Sequence, residues 1–257
     1  MSVTPKKALG QHFLVDENLL GVIGRLAALD PGDVVLELGP GLGVLTRYLA
    51  DRVETVHAIE LDRTLEAPLG EVLRGTTNVH LVFGDAVGFD YRVLEPSPGK
   101  LVANLPYNVA TPVVVESLYK IPSLERWTVM VQREIADRFF AAPRAKAYGA
   151  VSVLVQLHTR KVGSHRVSPT SFRPKPRVES AIVAFERLSR PYPDRLRHLV
   201  VASFAHRRKT LANSVSHSGQ VTREEAERAL TAIGRSRAIR AEELTPEEFV
   251  AFVDALA

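Results

Sequence analysis

Short apolar runs recur through the first 190 residues at intervals that leave room for a helix between them. Residues 34–38 of "DVVLELGPGLG" and the segments "ETVHAIELD", "NVHLVFGDA", "KLVANLPY" and "RWTVMVQ" read as five strands. Between them, residues 44–50 follow a glycine turn and suit a helix, as do "TPVVVESLYK" and "REIADRFFAA". "TLEAPLGEVLRG" is helical in spacing, although Pro68 and Gly70 weaken it. Thr111 is the expected N-cap of its helix, with Pro112 at the first helical position. Such alternation predicts parallel β-α-β units and an α/β fold whose sheet is covered on both faces.

"GAVSVLVQLHTR" and "SAIVAFERL" read as two long β runs without a clear helix between them, so one is expected to run antiparallel. The intervening "VGSHRVSPTSFRPKPRVE" reads as a long proline-rich loop, a kind of segment that is usually functional or disordered. Around "SRPYPD" the pattern changes. "DRLRHLVVASFAH", "KTLANSVSH", "TREEAERALTAIG" and "TPEEFVAFVDALA" all have helical spacing, and Thr222 with Glu225 and Thr245 with Glu248 have the spacing of capping boxes. These patterns predict one domain over residues 1–189 and a small all-helical domain over 190–257.

Composition narrows the chemistry. The 257 residues contain no cysteine, which excludes disulfides, thiolate metal sites and a cysteine nucleophile. No apolar run reaches membrane-spanning length, and "MSVTPKKALGQHFL" has no signal-peptide core, so a cytoplasmic protein is expected. The histidines are scattered without metal-ligand spacing, so no metal is expected. Net charge is only +4, but residues 186–240 hold twelve Lys or Arg against five Asp or Glu. This stretch includes "AHRRKT", with Arg207, Arg208 and Lys209, and "GRSRAIR". The local excess is the footprint of a phosphate-backbone partner, or else a solvated helix face.

"ELGPGLG" places Gly39, Gly41 and Gly43 between a strand and a helix, where glycines permit a tight turn and close approach to a ligand. Glu60 ends the next strand, where an acid holds a ribose hydroxyl pair. Val44 stands where a dinucleotide fingerprint has glycine, so the loop resembles that of S-adenosylmethionine-dependent methyltransferases instead. Asp85, in "GDA", closes the third strand. It reads either as the acceptor for an adenine amino group or as a turn-capping residue. Glu60, Asp85 and Asn104 all fall at strand carboxyl ends, the side on which open α/β sheets bind ligands.

"NLPYN" then acquires a chemical reading. An exocyclic base amine is a poor nucleophile because its lone pair is delocalised into the ring. Two acceptors, the Asn104 side-chain oxygen and the Leu105 carbonyl held by Pro106, can draw that nitrogen toward tetrahedral geometry. Tyr107 stacks on the base, an interaction worth about 1–3 kcal/mol. Phe172, in "SFRPKPRVES", is either a second ring that sandwiches an extruded base or an anchor for its loop. Gln11, His12 and Leu14 precede a helix and are expected to fold over the cofactor as a lid.

Together KKALGQHFL, ELGPGLG, IELD, NLPYN, Y-G-x-x-S-V at 148–153, F-x-P-x-P-x-V at 172–178 and FAHRRKTLANS resemble the small-subunit ribosomal RNA adenine N6,N6-dimethyltransferases. The resemblance spans residues 6–214 and implies a Rossmann-like S-adenosylmethionine-dependent methyltransferase sheet with a small helical C-terminal domain. It implies dimethylation of two adjacent adenines in a 3′-terminal hairpin of 16S rRNA, during small-subunit biogenesis; a monomer is the default expectation. By resemblance, His12, Leu14, Gly39, Glu60, Asp85 and Asn104 hold the cofactor, and Gln11, Gly41, Leu61 and Ala86 beside them are expected to share that role. Asn104, Leu105, Pro106, Tyr107 and Phe172 hold the target base, and Arg207, Arg208 and Lys209 bind RNA. Many members carry Asn where this chain has His12, which leaves a backbone contact at that position.

Two other readings use the same fold. A 23S rRNA adenine methyltransferase conferring macrolide resistance shares the motif but typically reads NLPF. An RNA-binding assembly or transcription factor would lack catalysis. Tyr107 and RRKTL disfavour the first, and the intact acids and rings disfavour the second. DNA adenine and protein glutamine methyltransferases usually read N/D-P-P-Y, from which Leu105 departs.

Overall fold

The computed structural model describes residues 5–6, 9–190 and 192–256. Lys7 and Ala8 of the KKALGQHFL motif and Pro191 of SRPYPD lie outside the described residues. The chain forms two compact units, one running to Ala136 and including Arg160–Arg187, the other formed by Asp137–Thr159 and the chain from Leu188 onward.

In the first unit, β1 (Phe13–Leu14), α1 (Asn18–Ala27), β2 (Val34–Leu38), α2 (Val44–Ala50), β3 (Thr55–Glu60), α3 (Glu66–Val72) and β4 (Val79–Phe83) follow in order. Then come β5 (Lys100–Asn104), α4 (Ala110–Lys120), β6 (Arg126–Gln132), β7 (Thr159–Val167), β8 (Phe172–Arg173) and β9 (Ser180–Arg187), with α5 (Arg133–Phe139) leaving the unit after β6. Seven strands make one sheet in the order β4-β3-β2-β5-β6-β9-β7. The run from β4 to β6 is parallel, and β9 is antiparallel to β6. The central strands are buried on both faces, as in Val35, Leu36, Val102, Val129 and Val131. That explains their unbroken apolar runs, each such side chain contributing about 1.5–3 kcal/mol. From β2 the chain steps outward to β3 and β4, then returns to β5 on the other side. The carboxyl ends of β2 and β5 therefore form the switch point where a crevice opens.

Three local expectations are corrected. "GAVSVLVQLH" is not a strand but α6 (Ala150–His158), followed by β7. A continuous apolar run reads the same in a buried strand and a buried helix, and this one is buried nearly all round. The expected loop after it is largely β7, a polar edge strand buried only at its two ends. α4 starts at Ala110 after Val109, so Thr111 and Pro112 lie inside its first turn rather than at the cap.

The second unit contains α6, α7 (Asp194–Phe204), α8 (Leu211–Ser216), α9 (Arg223–Ala232) and α10 (Pro246–Asp254). α6 packs on α7 and α10, which brings residues 137–159 into this unit, whereas the sequence pattern put a single boundary at 189/190. Both capping boxes form, Thr222 with Glu225 and Thr245 with Glu248. Tyr148 of the Y-G-x-x-S-V motif is buried and donates to the Leu244 carbonyl at 2.7 Å. Ser152 Oγ accepts from the Gly149 N–H at 3.2 Å and starts α6. That motif builds the helical unit.

Candidate active site

The crevice at the switch point is lined by the N-terminal segment 9–14, the glycine turn 37–42, the ends of β3 and β4, and the turn 104–109. Gln11, His12, Leu14, Gly39, Gly41, Glu60, Leu61, Asp85, Ala86, Asn104, Leu105, Pro106 and Tyr107 are all on its walls. The carboxyl ends of β2, β3, β4 and β5 supply all of them but Gln11, His12 and Leu14, which come from the N-terminal segment.

The glycine turn is left-handed at each glycine, with φ of 73° at Gly39, 60° at Gly41 and 78° at Gly43. A Cβ at Gly41 would come within 3.1 Å of the Phe13 ring, so the turn is both strained for other residues and closed against β1. Glu60 is buried at the end of β3, where it accepts from the Gly41 N–H at 3.0 Å and the Asp62 N–H at 2.8 Å. Those two bonds leave part of its acceptor capacity open. Leu61 stands 55% exposed beside it. Asp85 Oδ1 accepts from the Val87 N–H at 2.9 Å, the turn-capping bond, and Oδ2 is open among the described residues. The buried Tyr91 hydroxyl holds the Ala86 carbonyl at 2.5 Å and steadies this turn.

The turn 104–109 is similarly held. Asn104 Nδ2 donates to the His12 carbonyl at 3.2 Å. A carbonyl can only accept, so the amide is oriented with its Oδ1 free of partners among the described residues. The Leu105 carbonyl likewise makes no bond within the described fold, while its N–H is tied to Met130 O at 3.1 Å. Pro106 O accepts from Val109 and Ala110 N–H groups, both at 3.1 Å, which locks the turn onto α4. The Tyr107 hydroxyl is bonded to the buried Ser180 Oγ at 2.6 Å, fixing the ring by its far end. Burial pushes the pKa of this hydroxyl up against the effect of the Ser180 bond.

Phe172 is not in the crevice. β1 and β8 form a two-stranded antiparallel ladder with Leu14 opposite Phe172. Both side chains enter the core among Ile23, Met130 and Ile182, where Phe172 is 2% exposed. Alternation along the ladder puts Phe13 on the other side, packed with Leu65 and Leu69. The anchor alternative for Phe172 is thus the observed one. The ring lying on Tyr107 is His12, with centroids 5.2 Å apart.

Two acids escaped the sequence reading. Glu37, on the crevice floor, is 1% exposed, and burial, with Glu60 adding, pushes its pKa up to about 8. Neither its Oε2 nor Thr46 Oγ1 reaches a hydrogen-bond partner among the described residues, so the Thr46 hydroxyl offsets this only in part. Asp62 receives Lys6 Nζ at 2.6 Å, Gln11 Nε2 at 2.9 Å and the Thr64 N–H at 3.0 Å. It ties the N-terminal segment to the end of β3. The acid in IELD and the polar residues of KKALGQ were visible, but nothing local joins them.

Arg207, Arg208 and Lys209 are exposed on the turn between α7 and α8 of the helical unit. Arg207 pairs with Glu242 at 3.5 Å and Lys209 donates to His217 Nε2 at 2.9 Å, while Arg208 has no ion pair among the described residues. Among the described residues no cluster of His, Asp and Glu is arranged to hold a metal, and no helix is long and apolar enough to cross a membrane.

Residues 3–257 match the family model described as ribosomal RNA adenine dimethylase. A ribosomal RNA small subunit methyltransferase A of Rubrobacter xylanophilus is 48% identical over 250 residues, covering 96% of this chain and 93% of that protein. One from Clostridium botulinum is 40% identical, covering 95% and 90%. Among solved structures, a dimethyladenosine transferase from Plasmodium falciparum superposes with a TM-score of 0.78 at 23% identity, covering 94% of this chain and 96% of that one. The 23S rRNA methyltransferase ErmE superposes with a TM-score of 0.68 at 28% identity, covering 95% and 99%.

Proposed function

The chain belongs to the ribosomal RNA adenine dimethylase family, and on that premise we propose that it dimethylates the N6 amines of two adjacent adenines in a 3′-terminal hairpin of 16S rRNA. It acts as a cytoplasmic monomer during small-subunit assembly, with S-adenosylmethionine as donor. The observation that carries this reading is one crevice lined by Glu60, Asp85, Asn104 and Tyr107 from the ends of three different strands, β3, β4 and β5.

The residues fit the donor. Glu60 takes the ribose hydroxyls with its open lone pairs, Asp85 Oδ2 takes the adenine amino group, and Leu61 and Ala86 flank the ring. Gly39 and Gly41 admit the remainder against backbone, and Gln11, His12 and Leu14 close the mouth. When bound, the donor supplies an electrophilic methyl on a sulfonium.

The chain's own contribution is positioning and desolvation. Asn104 Oδ1 and the Leu105 carbonyl accept the two N6 hydrogens and draw the nitrogen lone pair out of conjugation. Pro106 fixes the distance between these acceptors. Tyr107, tethered through Ser180, stacks on the base plane. Transfer of that methyl to the aligned nitrogen would leave a thioether on the donor and a cationic amine, whose proton would pass to solvent without a dedicated base. Arg207, Arg208 and Lys209 engage the phosphate backbone. Tyr107 and the RRKTL sequence favour this target over 23S rRNA, and the free acceptors at 104 and 105 favour catalysis over a purely RNA-binding role.

The test is incubation with under-methylated 30S and with 50S particles in labelled donor, followed by mapping of dimethyladenine. Two adjacent sites in the 30S rRNA are expected. Label confined to 23S rRNA, or no label, would refute the assignment.

A further inference from the structure

The rings of His12 and Tyr107 are stacked, 5.2 Å between centroids and inclined by 27°. The imidazole is held elsewhere too: its Nδ1 lies 2.6 Å from the Pro174 carbonyl, which can only accept, so Nδ1 carries the hydrogen. The His12 carbonyl receives Asn104 Nδ2 at 3.2 Å. One residue thus touches the amide that aligns the amine, the ring that stacks the base, and the loop following Phe172. Centroids at this spacing are already within aromatic contact, so no third ring fits between them. A base that stacks on this face of Tyr107 and the imidazole that lies on it compete for the same space.

We propose that His12 is a specificity-determining gate on the target-base site. Its imidazole occupies the face of Tyr107 that an unstacked adenine takes, and the base enters by displacing it. This rests on the reading of Tyr107 as the stacking ring. Phe13 and Leu14 are paired with Arg173 and Phe172, and the His12 carbonyl is held by Asn104. Displacement is therefore a side-chain rotation that breaks the Pro174 bond and leaves the Asn104 amide in place. An imidazole–phenol stack resists entry by roughly two- to tenfold. A purine offers more ring area to Tyr107 than imidazole does and wins the exchange, so the gate favours a purine over a smaller ring.

The test uses the full chain, under-methylated small subunits and S-adenosylmethionine, with kcat/KM as readout. His12→Ala removes the competitor and is expected to raise kcat/KM roughly two- to tenfold; His12→Phe strengthens the stack and is expected to lower it. Both variants lose the Pro174 bond, so a merely structural role shifts both in one direction. His12→Asn lacks the ring but keeps a polar amide, is likewise expected to raise kcat/KM, and carries the test where the Ala variant folds poorly. A fall with Ala and recovery with Phe would make His12 a sandwich partner of the base and overturn the gate. Unchanged values in all three would overturn it as well. Tyr107→Ala separates the layers. If it leaves the kinetics unchanged, the stacking reading fails and the gate with it. If it impairs transfer while the Ala and Phe variants of His12 show no opposite shifts, the gate alone fails.

Discussion

Replacing Asp62 with Ala isolates the role of the N-terminal segment. Four bonds converge on this carboxylate, from Lys6 Nζ, Gln11 Nε2, and the Thr64 N–H and Oγ1. Only the Lys6 and Gln11 bonds join the segment to β3, and Lys6 is 45% exposed, so water replaces part of what is lost. Discounted for that exposure, the pair is worth about 2 kcal/mol. That corresponds to about a thirtyfold fall in the equilibrium constant for docking the segment. Because residues 9–14 line the crevice, the Kd for S-adenosylmethionine should rise by up to that factor, measured by calorimetry. In the free protein, amide hydrogen exchange across residues 9–15 should quicken. Asp62→Asn keeps an acceptor oxygen, loses the charge, and should fall between. Burial opposes the charge on Asp62, but the bonds from Lys6, Thr64 and Gln11 outweigh it and hold its pKa well below the usual carboxylate range. The folded pKa is depressed, so this contribution is complete above the unfolded value, near 3.9, and is lost only as pH falls through the lower folded one. Donor affinity within twofold of wild type, with unaltered exchange, would refute the reasoning.

Asn104→Ala should abolish methyl transfer while leaving donor affinity within a few-fold, because the acceptor for the amine is lost and the crevice wall is not; normal turnover would remove Asn104 from the mechanism. Neutralising Arg207, Arg208 and Lys209 should weaken RNA binding and reduce the slope of log K against log salt by roughly 2–3. An unchanged slope would leave those residues a structural role. Glu37→Gln should stabilise the protein at alkaline pH. The acid's pKa is raised to about 8 in the fold, so wild-type stability falls as pH rises from the unfolded value toward 8, and the amide has no charge to bury. The Tm advantage of the variant should vanish near pH 4 and reach its full size above pH 8, and a constant difference across that range would exclude burial as the cause.

What the chain determined by itself lies mostly within a few residues of backbone. VVLEL at 34–38 and the run in ETVHAIELD became strands of a parallel sheet buried on both faces, while the run in NVHLVFGDA, with His80 and Leu81 among its residues, became the less buried edge strand. The glycines of ELGPGLG turned left-handed because no other residue does so without strain. Thr222 and Thr245 capped their helices through partners three residues on. Strand ends are also local features, which is why Glu60, Asp85, Asn104 and Tyr107 could be placed at one crevice before any coordinates.

Tertiary structure decided whatever depends on a partner far along the chain. Phe172 faces the core because it pairs with Leu14, and the ladder's alternation then leaves it no choice of side. Residues 150–158 are helical because α7 and α10 bury them, an outcome that apolar composition alone does not distinguish from a strand. Lys6 meets Asp62 across 56 positions, and His12 reaches Tyr107 and Pro174 across longer gaps. A short-range pattern carries no information about such meetings, because they are fixed by which strand ends the sheet order brings side by side.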